Sequence, residues 1–175
     1  MIVKRRSGDT EHWDVYHASL GNTKAMQGLN NDGAADTSAS YWNNTSPTSS
    51  VFTVGTGSGV NASSPYICYA FSEKQGYSKF SSYIGNGNAD GTFVYTGFKP
   101  AFVIQKEYGA GGEYWMMKDN KRETGNQTDA NLYPNAANAE GDTNGIDLLS
   151  NGFKCRTTGA GSNGSGATYI YMAFA

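Results

Sequence analysis

The chain has 175 residues, long enough to bury a real core in one domain or two small ones. Its 23 glycines, twelve tyrosines and 13% aromatic content, set against 16% charged residues, exclude a disordered profile and fit short strands joined by Gly/Asn turns. A net charge of −2, with basic residues gathered only in "KRR" (Lys4 to Arg6) and "NKR" (Asn120 to Arg122), argues against nucleic acid as the main partner, and no apolar run approaches the length of a membrane span.

The start, "MIVKRRS", lacks the apolar stretch of a signal peptide. Runs 2–6 and 12–17 flank "SGDTE" and predict a hairpin. Its second half carries "DTEHWDVYH" (9–17), which gathers Asp9, Glu11, His12, Asp14 and His17. A metal or acid–base reading is opposed by geometry, because residues an odd number apart on a strand point to opposite faces. A solvated strand face is the plainer reading. The polar middle, 18–50, predicts an irregular loop or a single helical turn around "TKAMQGL". Within it, "YWNNT" places Tyr41 and Trp42 beside Asn43 and Asn44. Two readings stand: aromatic rings and amides that take a sugar, or a tryptophan folded back onto its own sheet.

Runs 51–56 and 66–72 predict strands, the second holding Cys68. Cys68 and Cys155 read as small buried hydrophobes, with a bridge as the alternative. Runs 77–84 and 92–98 predict strands on either side of "GNGNADG" (85–91). Asn86, Asn88 and Asp90 sit at every second position before Gly91, as in the first half of an EF-hand loop. Counting from Asn86, the twelfth position is Gly97, not an acid, and both flanks are strand-like. A hairpin turn is the expectation, with a ligand-contacting loop tip or another kind of calcium site as alternatives. Runs 102–108 and 113–118 predict a second hairpin around "GAGG". The second polar middle, 119–151, is followed by strands 152–158 and 168–174. The glycine-rich "GTGSG" (55–59) and "GAGSNGSG" (159–166) lead into no helix and carry no lysine, so they read as turns.

Four landmarks recur. Ile2 lies on Val103, Trp13 on Trp115, "VFTVGT" (51–56) on "GFKCRT" (152–157), and "YICYAF" (66–71) on "YIYMAF" (169–174). Their offsets are 101, 102, 101 and 103 residues, which predicts two modules of about one hundred residues. The expected organisation is copy 1 over 1–73, joining strands over 74–102 and copy 2 over 103–175, packed as one unit. Both tryptophans are expected in the core. The abrupt start and stop at strands suggest a fragment of a longer tandem array. The fold class predicted is all-β, an antiparallel sandwich or jelly roll with long polar loops.

Catalytic motifs are absent: no G-x-S-x-G elbow, no Cys beside a His, no H-E-x-x-H. Glu107, Glu113, Asp119 and Glu140 are the acids a glycosidase reading would draw on, though spacing alone pairs none of them. No catalytic residue, metal ligand or cofactor is therefore expected.

The stretches "YWNNTSPTSSVFTVGT", "GYSKFSSYIGNGNADGTFVYTGFKPAFVI" and "LLSNGFKCRTTGAGSNGSGATYIYMAFA" resemble a repeated domain of unknown function in tail-fibre and other virion proteins of tailed, largely marine, bacteriophages. The resemblance covers most of the chain and is carried by Y-x-G-N-G-x-x-D-G-x-F-x-Y-T-G-F-x-P-x-F-V, residues 83–103. It implies a non-enzymatic role on the virion surface, gripping a host glycan or protein receptor. It further implies contacts with other virion proteins and a homo-oligomer, a trimer being favoured. A structural spacer or capsid decoration without ligand is the alternative, and a polysaccharide-degrading tailspike a second. The residues first expected to touch ligand are Tyr41, Trp42, Asn43 and Asn44, then Asn86, Asn88 and Asp90.

Overall fold

The computed structural model describes residues 1–8, 11–123 and 125–175. Its strands are β1 (Ile2–Arg5), β2 (Trp13–Val15), β3 (Lys24–Gln27), β4 (Ala35–Thr37), β5 (Tyr66–Tyr69), β6 (Ser78–Ile84), β7 (Phe93–Tyr95), β8 (Phe102–Glu107), β9 (Met116–Asp119), β10 (Ile146–Leu149), β11 (Gly152–Cys155) and β12 (Thr168–Phe174). A one-turn helix, α1 (Ala39–Trp42), follows β4. Every pairing is antiparallel, and the strands form three sheets. Their orders are β4-β3-β2-β1-β5, β6-β12-β8-β9 and β10-β11-β7. The fold is an all-β antiparallel sandwich.

The four-stranded sheet lies in the middle, and alternation along its strands explains why. On β12, Tyr169, Tyr171 and Ala173 join Tyr83 and Val103 in a core with Val94, Phe153, Ile146 and Leu148 of the three-stranded sheet. The intervening Ile170, with Ile104 and Trp115, packs against Val15 and Met26 of the five-stranded sheet. A strand with both faces covered loses the apolar–polar alternation of a half-buried one. Even Gln105, Lys106 and Glu107 of β8 are buried. The outer face of the five-stranded sheet is covered in turn by Trp42 and Val60, which pack on Val3 and Ala25.

Both predicted hairpins form, β1–β2 and β8–β9. In each sheet a third strand returns along the first: Ile2 pairs with Val15 and Tyr69, and Ile104 with Met117 and Met172. That register sets Ile2 against Ile104, one residue beyond the Val103 expected. Elsewhere the halves diverge. The run 51–56 is not a strand, whereas its aligned stretch contains β11. It crosses the end of α1 instead, with Gly55 N–H donating to Tyr41 O at 2.6 Å and Gly57 N–H to Ser40 O at 2.8 Å.

Two further expectations are corrected. β6 and β7 do not form a hairpin, because they belong to different sheets. The chain between them is an arch whose Gly85 N–H donates to Ala167 O at 2.9 Å on one side and whose Gly91 N–H donates to Cys155 O at 3.1 Å on the other. The stretch "TKAMQGL", expected as a loop or helical turn, holds strand β3; the first polar middle also contains β4 and has its helical turn at Ala39–Trp42, and the second contains β10. Cys68 and Cys155 are both free.

Candidate functional site

The structure separates the first group of expected ligand residues. Trp42 has no exposed surface, and its Nε1–H donates to Lys24 O at 3.0 Å. Tyr16 packs against it edge-on at 5.6 Å. A ring with no free face cannot stack on a sugar, so Trp42 is a core residue, anchored where α1 covers the five-stranded sheet. Tyr41 is half-buried, its hydroxyl held by Gln27 Nε2 at 2.7 Å and near Asp36 Oδ2 at 3.3 Å. Asn43 and Asn44 are exposed, with φ of 51° and 48°, and their left-handed backbone ends α1. The two tryptophans of the hairpins also differ. Trp115 is 4% exposed, but Trp13 is only half-buried, stacked on Tyr69 at 6.3 Å.

The "DTEHWDVYH" stretch is no solvated face either, so far as it is described; Asp9 lies outside the described residues. Asp14 and His17 are buried. His17 Nε2–H donates to Tyr171 O at 3.1 Å while Nδ1 accepts from Ser19 N–H at 3.2 Å, which fixes a neutral ring, and burial lowers its pKa. His12 is engaged separately, by Asn30 at 3.0 Å.

The Asn86–Asp90 arch is built by its own amides. Asn86 Oδ1 accepts from Asn88 N–H at 3.0 Å, and Asn88 Oδ1 from Asp90 N–H at 2.9 Å, the Asx geometry of a turn. Asn163, fully buried in the 159–166 loop, donates to Asn86 Oδ1, Asn88 O and Thr157 O at 2.9, 2.8 and 2.7 Å. The oxygens that a cation would need are thus spent on the arch itself. Asp90 turns instead toward β11, where it pairs with Lys154 and lies 3.7 Å from Arg156. Lys154, by hydrogen bond and charge, and then Arg156 hold its carboxyl below the usual range.

That pairing joins the arch to the outer face of the three-stranded sheet. The inward residues Val94, Phe153 and Leu148 leave Phe93 and Tyr95 of β7 pointing outward, 45% and 64% exposed. Their cross-strand partners are Lys154 and Gly152. Tyr95 faces a glycine, so no side chain stands directly across from it, and it is 64% exposed. Gly152 is itself required, since a Cβ there would meet Val94 O at 2.1 Å and the Phe93 ring at 3.1 Å. Asp147 of β10 completes the rim, 3.5 Å from Arg156 Nε. Two ring faces, two carboxylates and two cations therefore share one rigid surface. Rings of this kind cover the apolar face of a pyranose, and charge-assisted hydrogen bonds take its hydroxyls.

Sequence reasoning reached Asp90 but missed Phe93 and Tyr95. "TFVYTGF" is apolar at three successive positions, so alternation does not tell which face is buried. Acid pairs fit catalysis less well. Glu107 and Glu113 line one shallow hollow of about 410 Å³. Glu107 accepts Gly109 N–H at 2.7 Å and Ala110 N–H at 2.9 and 3.0 Å, which commits both its oxygens to a turn. Asp119 and Glu140 are bridged by Arg122, at 2.6 and 2.5 Å. Among the described residues, no group of three or more His, Cys, Asp or Glu is placed to hold a metal.

An antiparallel β-sandwich with a surface aromatic platform is the class that fold and site define. Over residues 1–175 the chain matches, and belongs to, the family described as Domain of unknown function (DUF7483). No curated protein and no solved structure matches it.

Proposed function

We propose that this protein is a non-enzymatic adhesion module of a virion surface, tail-fibre-like, which recognises a host glycan through the outer face of the three-stranded sheet. The observation that carries the reading is the pair of outward-facing, exposed aromatic residues, Phe93 and Tyr95, flanked by Asp90, Lys154, Arg156 and Asp147. The virion setting rests on the motif over residues 83–103, and that same motif contributes both rings and Asp90. One such shallow face gives weak binding, near millimolar, or about −4 kcal/mol. Useful grip then comes from several copies acting together, as in a homo-oligomer.

The test is binding of monomeric and artificially multimerised protein to host cells and to a glycan array. Multimers are expected to bind and monomers barely to do so. Tyr95→Ala is expected to reduce multimer binding at least about tenfold, or about 1.4 kcal/mol per site. Its melting temperature should hardly move, as exposed substitutions usually change stability by under about 0.5 kcal/mol. Multimers that ignore host surfaces would favour the spacer reading; release of soluble sugar from host polysaccharide would favour the tailspike.

A further inference from the structure

A cavity of about 480 Å³ opens between the five-stranded and four-stranded sheets. Interiors are ordinarily packed with few voids larger than a water, so a space of this size is more than a packing defect. It falls within the roughly 300–1,000 Å³ of small-molecule sites. Its inner walls are aliphatic, Ile2 and Val15 from one sheet and Ile104, Ile170 and Met172 from the other, with buried Trp115 among them. Its mouth carries Val51, Phe52 and Phe71, which are 64%, 42% and 46% exposed. Apolar side chains thus predominate from the mouth to the two sheets, although Ile170, Trp115 and Ile104 at the bottom are only 1%, 4% and 5% exposed.

The charge inventory narrows the occupant. Among the described residues, no lysine or arginine lines the cavity. His17, at the wall, has both ring nitrogens engaged. Glu73, the one carboxylate on the lining among the described residues, accepts Phe80 N–H and Lys79 Nζ, each at 3.0 Å. An anionic head group would meet the carboxylate of Glu73, and the cations nearby are already engaged, Lys79 by Glu73 itself and the Met1 amino group by Tyr16 O at 2.9 Å. The hydroxyls of Ser49 and Ser50 stand at the rim for an uncharged polar head, that of Thr48 being taken up by its own turn. The rim segment is held mainly by its own turn. Thr48 N–H donates to Val51 O at 2.8 Å and Thr48 Oγ1 accepts Val51 N–H at 3.1 Å, and among the described residues no backbone hydrogen bond ties 46–54 to a sheet. We infer that this slot binds one unbranched alkyl or acyl chain with an uncharged polar head, with 47–52 as its cover. The inference is independent of the glycan reading, which concerns the opposite side of the central sheet.

The neutral dye N-phenyl-1-naphthylamine, bright only when desolvated, provides the test. Titration should give a saturable signal with one site per chain, together with energy transfer that Trp115→Phe sharply reduces. 1-Dodecanol should displace the dye; dodecanoate at pH 8 should do so at least about tenfold less well, about 1.4 kcal/mol. Phe52→Ser, at the exposed rim, should weaken the dye without altering the melting temperature. Ile170→Trp should fill the slot and abolish binding; if that variant does not fold, the Phe52 and Trp115 variants still decide. Co-sedimentation with phosphatidylcholine vesicles would mean that the chain is drawn from a bilayer, and displacement without it that the ligand is free; both support the site. No saturable signal, no displacement by dodecanol, dodecanoate as effective as dodecanol, or undiminished binding by Phe52→Ser would overturn it.

Discussion

Asp14 is a carboxyl group at 3% exposure, pressed against the backbone at Gly59, where a Cβ would stand 2.0 Å from Asp14 Oδ2. Burial first, then the charge of Glu11, raises its pKa to about 7, with Lys4 opposing. The sign follows from linkage. Between the unfolded value near 4 and the folded value near 7 the native state holds more protons than the unfolded one, so stability falls as pH rises through that window. Asp14→Asn removes the ionisation and with it the repulsion from Glu11. It is expected to stabilise the fold by about 2–4 kcal/mol at pH 8 and hardly at all at pH 4. Urea unfolding at the two pH values checks this; an equal effect at both would show that Asp14 is not carrying the penalty. Tyr41, whose own pKa is raised to about 12 by burial and then by Asp14, lies in the same polar pocket, so its place there is structural.

Among the elements, α1 decides most. Ser38 caps it by accepting Ser40 N–H, and Asn43 ends it in the left-handed region after a single turn. A helix this short has no stability of its own, so Trp42 must hold it to the sheet. Trp42→Ala and Trp115→Ala are each expected to cost about 3–5 kcal/mol, the range for a large core aromatic, and Trp13→Ala clearly less. Chemical denaturation of the three variants ranks them, and Trp13 ranking with the others would contradict its half-exposed stacking. The arch makes a second prediction. Because Asn86 and Asn88 spend their side-chain oxygens on backbone N–H groups and Asp90 pairs with Lys154 and Arg156, melting in excess calcium and in chelator should give one midpoint. A calcium-dependent rise would mean that the arch opens to bind.

These elements also show what the sequence could reveal. The hairpins were legible because two strand-like runs flank each of the short turn signals "SGDTE" and "GAGG". β3 was not, since only Ala25 and Met26 are buried between Lys24 and Gln27. Nor was the partner of β6, because "GNGNADG" marks a change of direction but not which sheet the next strand joins. For Trp42 the polar neighbours left two readings, a ligand ring or a ring folded onto its own sheet, and the second holds; what buries it comes from β3 and from the segment around Val60, a matter of tertiary packing. For the candidate site, only Asp90 of the residues expected to touch ligand lies on the aromatic platform.

Taken whole, the molecule is a stack in which the four-stranded sheet supplies half of both inter-sheet cores. Ile2, Val15 and Met26 of the first part of the chain find their contacts in Ile104, Trp115 and Ile170 of the second. If residues 1–73 were a self-sufficient module, that apolar face would be open to water when the segment is made alone. Small β-structures need a second layer to bury such a face, and a piece of this size leaves much of its apolar surface exposed even when folded. The segment 1–73 alone is therefore expected to lack a cooperative thermal transition, while the full chain unfolds in one step. The same coupling requires tryptophan fluorescence and far-ultraviolet circular dichroism of the full chain to report one urea midpoint. Two separated midpoints, or a cooperative transition in the isolated 1–73 segment, would show that the first part carries its own core and that the shared central sheet is an interface between independent units.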